Sequence, residues 1–461
     1  MTSRIIRTGR AAIAGIALSV LAVGAAGADT LRTAMADAYR NSQLLEQNRF
    51  LLRIRDEGVN QAVAQLLPTL SFIANTRRDL IADTTTSTAQ LVGELTIYAG
   101  GSRIAATRAA EATVEATRQQ LVSLESQVLL DAVTAYLEVW EAQQVVSVRQ
   151  SNVRVLTQQL RAAQDRFEVG EDTRTDVAQA EAQLAQARSS LAAAEGTLMI
   201  ARELFNLAVG RYPNGLSGPG GLPHLPRSEE EADRLARQEH PAIRALQFEV
   251  QAAEFSVEEA RGGARPNLSL ELSASETFQA PLPSQEGRGG SLSLTLSQPI
   301  YRGGQIGSLE RQALAQAEAT RANLNRQVQL NLQAVGNAYA RLRIANAQIQ
   351  ASDQRIRAAQ LALDGVREEA SLGARTTLDV LDAEQDLLEA RISRIEASAD
   401  LYGAAYSVLS ASGLLTVAQL DLPVPRYDVE AYGDAFRPGV PRVASPQGER
   451  LDGLLRAIGR E

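Results

Sequence analysis

Much of the second half of this 461-residue chain repeats the first half in a single register. Subtracting 203 carries Tyr301 to Tyr98, Gly303 and Gly304 to Gly100 and Gly101, Arg321 to Arg118, Tyr339 to Tyr136, Gly373 to Gly170, Asp379 to Asp176 and Gly413 to Gly210. Upstream the shift becomes 198, pairing Pro266 with Pro68 and Leu268 with Leu70. A chain written twice folds as two similar units, so whatever one copy builds the other builds again. The second copy carries five more residues between its Pro and its Gly-Gly, an insertion that belongs in a surface loop.

Each copy follows the same order. A leading helix is expected over about 30–66, and again over about 241–261, where Pro241 suits a first helical turn. Next comes an alternating stretch, "PTLSFIANTRRDL" and later "PNLSLELSASETF", with the period of a half-buried strand. After the polar loops "IADTTTSTA" and "QAPLPSQEGRGG", a second strand returns in "QLVGELTIYAGG" and "SLSLTLSQPIYRGG". The glycine pairs Gly100-Gly101 and Gly303-Gly304 mark sharp strand-to-helix turns. Residues 102–169 then contain neither Gly nor Pro and extend about 100 Å as a helix. The twin over about 305–372 is interrupted by Gly307, Gly336 and Gly365. Each long helix breaks at a glycine, Gly170 or Gly373, and a return helix follows over 175–209 and 377–412.

The ends have a different character. Residues 1–28 read as a secretory signal peptide: Arg4, Arg7 and Arg10, an apolar core over 11–23, then Ala26-Gly27-Ala28. Its removal takes the formal charge from −8 to −11, a poor balance for binding nucleic acid. No later run approaches the ~20 apolar residues of a membrane helix, so any membrane crossing by the mature chain uses β-strands. Cysteine is absent, which excludes disulfides, thiolate metal sites, Cys nucleophiles and a lipidated Cys anchor. The units are thus 29–209, an inter-repeat segment 210–240 rich in Gly and Pro, 241–413, and 414–461 as an extended wrap with a flexible tail.

Four strands per chain cannot close a barrel, for which about eight is the minimum, and an open sheet in lipid strands its edge N–H and C=O groups. Membrane-spanning strands would have to be pooled among copies. The residues that carry a family resemblance are the turns "TIYAGG" and "QPIYRGG", the paired "FEVGEDTRTDVAQAEAQLAQAR" and "ASLGARTTLDVLDAEQDLLEAR", and the double register. With these the sequence resembles the TolC-type outer-membrane efflux and secretion channels over nearly all of the mature chain. The resemblance implies a mainly α fold with a membrane β-barrel portion. Long antiparallel helical hairpins would form an α-barrel in the periplasm, and a homotrimer would share a twelve-stranded β-barrel in the bacterial outer membrane, in contact with its lipid. It implies no enzyme and no cofactor, but a channel-tunnel exporting proteins or small toxic molecules. Its partners would be a periplasmic adaptor and an inner-membrane ABC or proton-driven transporter. One departure is Thr96, where the second copy and the family have a proline, here Pro299.

Asp379 and Asp382, one helical turn apart, are the chain's most site-like pair. Catalysis by them lacks a partner set, since the only histidines are His224 and His240. A metal site lacks a third ligand. Thr173-x-x-Asp176 and Thr376-x-x-Asp379 both read as helix starts with capping boxes. Asp382 has Gln179 as its twin and Arg375 has Asp172, so the repeat demands neither residue. With Asp379, Asp386 and Glu389, Asp382 lies on a solvated helix face, and the inner face of a tunnel is solvated too. The resemblance makes Asp379 and Asp382 an acidic ring at the periplasmic entrance, and Arg375 a gate tether to Thr175 and Asp176. A further tether tyrosine of the family is replaced by Ala370. The competing reading is a periplasmic structural or adaptor coiled-coil protein with no channel.

Overall fold

The computed structural model describes residues 28–435 apart from Asp172. Residues 1–27 of the expected signal peptide 1–28 and the tail from 436 lie outside the described residues. The elements run α1 (Leu31–Asn41), α2 (Gln43–Ala64), β1 (Thr69–Asp79), β2 (Thr84–Ala99), α3 (Ser102–Glu168), α4 (Arg174–Val209), α5 (Glu229–Glu239), α6 (Pro241–Gly262), β3 (Asn267–Gln279), β4 (Gly287–Ser297), α7 (Gln305–Ser371), α8 (Thr377–Ala411) and α9 (Ala431–Ala435). α1, α2 and β1 start 198 residues before α5, α6 and β3, whereas β2, α3 and α4 start 203 before β4, α7 and α8. The change of register falls at the β-hairpin tips, where loop 80–83 is matched by the longer loop 280–286.

Three local expectations are corrected. The leading helix expected over 30–66 is two helices, because Ser42 is extended and caps α2, its Oγ accepting from Leu45 N at 3.2 Å. Its twin break is His240-Pro241, which places α5 inside the stretch 210–240. The threonine-rich run read as a loop belongs to β2 from Thr84 onward, since paired neighbours let β-branched residues express their strand preference. Lastly, α7 runs unbroken through Gly307, Gly336 and Gly365. Packing against α6 and α8 outweighs the ~1 kcal/mol that each glycine costs a helix.

The four strands form one antiparallel sheet in the order β1-β2-β3-β4. Its register sorts the side chains by face. Leu70, Phe72, Leu91, Leu95, Leu270, Leu272, Leu292 and Leu294 fall on one side, with Leu272 opposite both Gly93 and Leu292. Ser71, Gln90, Glu94, Ser269, Glu271, Ser273, Ser293 and Thr295 fall on the other. The apolar face is uncovered, with Leu70 at 72% and Leu296 at 70% exposure. β4 stops at Ser297, ahead of Pro299, which has no N–H to give a ladder. With Thr96 in place of proline, β2 continues beside β3 to Ala99 through a register shift between Thr96 and Tyr98.

Below the sheet the helices lie side by side, α3 between α2 and α6, and α7 against α6 and α8. Buried alanines on α3, among them Ala112, Ala116, Ala132 and Ala135, permit this close approach. Halfway along, each long helix holds the connecting chain with a tyrosine. The Tyr136 hydroxyl meets the carbonyls of Asp29 (3.0 Å) and Ser217 (2.6 Å), and that of its twin Tyr339 meets those of Pro226 and Ser228, both at 3.1 Å. Arg211 clamps Asp29 and Asp37 at 2.7 and 2.9 Å. The wrap after α8 is held by Arg49, whose guanidinium lies over the rings of Tyr39 (5.5 Å) and Tyr427 (4.9 Å).

His240 caps α6, its Nδ1 accepting from Ala242 N at 3.2 Å. Burial pushes its pKa down to about 4, against a smaller opposing effect of its hydrogen bond with the Ser410 backbone. An unfolded histidine titrates near 6.5, so between these values the unfolded chain binds the extra proton. The stabilisation is complete above about pH 6.5 and is lost as the pH falls through about 4, with a ceiling of about 3 kcal/mol. Urea titrations at pH 7 and pH 4.5 are expected to show this loss in the parent, and a smaller one in His240→Asn, which keeps a capping side chain.

Candidate functional site

At the end of the helices remote from the sheet, two short turns join α3 to α4 and α7 to α8. Both leave the first helix in the same way. Gly170 (φ 83°) and Gly373 (φ 75°) are left-handed; Gly170 N donates to Phe167 O and Gly373 N to Ala370 O. One residue later Glu171 N donates to Arg166 O and Ala374 N to Glu369 O, both at 2.9 Å. These paired bonds satisfy the last carbonyls of each helix. Both turns enter the next helix through a capping box, Thr173 with Asp176 and Thr376 with Asp379.

These boxes fix the first aspartate of each copy. The Asp379 carboxylate accepts from Thr376 N (2.9 Å) and Thr376 Oγ1 (2.8 Å). The Thr376 backbone N–H lowers its pKa most, followed by the Thr376 hydroxyl, with the Arg375 charge adding. Asp176 is held below the usual carboxylate range chiefly by the Thr173 hydroxyl, then by the Thr173 N–H, with Arg166 contributing. Asp382, one turn on, is exposed with Asp386 and Glu389, while Val380, Leu381, Leu387 and Leu388 are buried on the opposite side of α8. The carboxylate of Asp379 is therefore committed to its helix start, and that of Asp382 faces solvent.

Arg375 does not meet Thr175 or Asp176 within the chain. Its Nε donates to Glu369 Oε2 at 2.8 Å, back across its own turn. The first and second copies are joined here instead by Arg166, whose Nη2 donates to Thr377 Oγ1 at 3.3 Å. Ala370 packs against the cluster of Leu363, Val380 and Leu387. The α7–α8 hairpin is further zipped by Arg367 with the buried Glu384, Arg394 with Asp353 (2.6 Å) and Arg355 with Glu389 (3.7 Å). Glu369, Arg166 and Glu384 were not singled out by motif reading. The signal for the first two was present, because position 166 holds Arg where its twin 369 holds Glu.

The opposite ends of the long helices carry the strand-to-helix turns. Gly100, Gly101, Gly303 and Gly304 have φ of 64°, 85°, 60° and 83°, so all four need the left-handed backbone that glycine adopts without strain. Among the described residues no group of His, Asp and Glu is arranged to hold a metal, and no helix is long and apolar enough to cross a membrane.

Comparison with known proteins places this architecture. The family model described as "Outer membrane efflux protein" matches residues 34–211 and 234–414, the two copies in turn. "Outer membrane efflux protein BepC" of Brucella suis is 34% identical over 423 residues, 91% of this chain and 93% of that protein. "Alkaline protease secretion protein AprF" of Pseudomonas aeruginosa is 27% identical over 65% of this chain and 64% of its own length. Among solved structures, the outer membrane protein VceC of Vibrio cholerae superposes with a TM-score of 0.73 over 83% of this chain and 96% of its own, at 18% identity. Duplicated hairpins, an open four-stranded sheet and a family match spanning both copies lead to one assignment: the chain belongs to the outer membrane efflux protein family, whose members are transport channels and not enzymes.

Proposed function

We propose that this chain is one protomer of a trimeric outer-membrane channel-tunnel that exports proteins or small toxic molecules. It would receive them at its periplasmic end from an inner-membrane ABC or proton-driven transporter through an adaptor. The observation that carries the assembly is a set of junctions made once where the repeat calls for them twice. β2 pairs with β3 between the copies, but the twin pairing, β4 with β1, is left open at both sheet edges. On α3, Gln120 Nε2 donates to Glu249 of α6 at 2.8 Å; the twin positions, Asn323 on α7 and Leu51 on α2, make no such bond, and Leu51 is exposed. α8 packs on α3, whereas its twin α4 leaves Met199, Ile200, Leu204 and Leu207 uncovered. A neighbouring copy closes all three junctions at once, and repetition closes a ring. A non-channel coiled-coil protein has no use for a sheet with one apolar face.

In the ring the Asp379 and Asp382 carboxylates of each copy gather at the entrance and favour cations. Arg375 with Thr175 and Asp176 is the proposed closure, as a contact between neighbouring copies. That BepC is named an efflux protein and AprF a protease secretion protein supports both kinds of cargo. The test is to isolate the protein from outer membranes and record it in planar bilayers. A conducting trimer blocked by a trivalent cation is expected, with at least tenfold weaker block in Asp382→Ala. A soluble monomer would end this reading, and unchanged block would remove Asp382 from the pore.

A further inference from the structure

The two entrance turns share the hydrogen bonds that end the first helix and the capping boxes that start the next, and their sequences have exchanged charges. In each, the residue whose carbonyl is held at the helix end and the residue just ahead of the next helix cap stand six positions apart. They are Arg166 and Asp172 in the first copy, Glu369 and Arg375 in the second. The second pair is an ion pair of 2.8 Å with both side chains about half exposed. Helix dipoles favour a cation at a C-terminus and an anion at an N-terminus. The order Arg166 then Asp172 agrees with both preferences; the order Glu369 then Arg375 opposes both, and α7 has no basic residue in its last turn where α3 has Arg166. An exposed ion pair contributes little to stability, so folding gives no reason for the unfavourable order. What that order achieves is to set a cation directly ahead of Thr376, the residue whose N–H and hydroxyl hold the Asp379 carboxylate at 2.9 and 2.8 Å, so that both charges share one turn.

We propose that Glu369 is a positioning residue of the entrance: it holds Arg375 where the helix dipoles disfavour a cation, so that the guanidinium stands beside the Asp379 carboxylate and at the contact that closes the channel. The first copy shows the charge order that folding alone prefers, and the second the order the entrance requires. The inference rests on the channel reading above. Its test uses the full-length trimer in planar bilayers with two variants, Glu369→Gln and the exchange Glu369→Arg/Arg375→Glu. Both are expected to retain the heat-resistant trimer, the exchange variant at least as firmly as the parent, while conducting several-fold more. A merely structural pair would give the opposite pattern, with conductance unchanged in the exchange variant because the ion pair is preserved. Parental conductance in either variant overturns the proposal, and so does loss of the trimer in the exchange variant, which would make the charge order a folding requirement. A parent protein that forms no conducting trimer would instead defeat the channel reading itself.

Discussion

Leu294→Arg is expected to remove most of the heat-resistant trimer from the outer membrane, while Ser293→Arg, one residue away, leaves it in place. The register puts Leu294 opposite Leu270, in the middle of a face that also carries Leu272, Leu292 and Leu296. Ser293 lies opposite Glu271 on the face shared with Ser273 and Thr295. Arginine facing the middle of a bilayer costs a β-barrel about 2–4 kcal/mol, and a three-fold assembly incurs that cost at each protomer. Arginine on the lumen side meets water and carboxylates, so Ser293→Arg should alter ion selectivity and little else. Quantifying heat-resistant trimer in membrane fractions, together with reversal potentials in bilayers, separates the two faces. Trimer lost in Ser293→Arg and kept in Leu294→Arg would mean that the polar face meets the lipid.

Gly100→Ala is expected to be among the most damaging single-methyl additions in the chain, and the twin change Gly303→Ala tests what surrounds the second copy. A Cβ at Gly100 would lie 2.3 Å from Gly262 O and 2.7 Å from Arg265 Cβ, with φ at +64°. The backbone of α6 would have to move, breaking the 3.0 Å bond from Arg265 Nη1 to Gly100 O. Overpacking against backbone combined with left-handed strain amounts to about 4 kcal/mol or more. At Gly303 nothing among the described residues lies within 4 Å, which leaves only the left-handed strain of about 1–2 kcal/mol. Denaturant midpoints of the two variants should therefore differ clearly where no neighbouring copy covers the second turn. An equal loss at Gly303 would be the mark of a neighbouring protomer seated on that turn as α6 is seated on the first.

How far the sequence anticipates the structure depends on whether a boundary has a chemical marker. The ends of α3, α4, α7 and α8 fall within about a residue of expectation, because Gly-Gly, Gly170, Gly373 and the Thr-x-x-Asp boxes each impose a backbone change that no neighbour can override. The break at Ser42 has no such marker in its own copy. Only the twin, where Pro241 follows His240, shows that a helix must restart there. The polarity of the run Thr84–Ala89 suggests a loop, whereas strand pairing responds to its β-branching and takes it into β2. At the turn into α8, the capping role of Asp379 could be read directly from Thr376. The partner of Arg375 could not, since it depends on how tightly the chain reverses around Gly373. The exchange of charges between twin positions was nonetheless present in the two lines of sequence.

The covalent link between the copies, residues 210–228, has a consequence for how the ring comes to exist. A closed ring of half-length chains would need twice as many independent subunits to meet, and its yield would fall much more steeply on dilution. Joining the halves makes every second junction intramolecular, at the high effective concentration of a short tether. Tyr136, Arg211 and Asp29, which fasten that tether to the first long helix, thus act on reaction order as well as on shape. Loosening them should show first as slower and more concentration-dependent assembly in a dilute compartment, before any change in the finished pore.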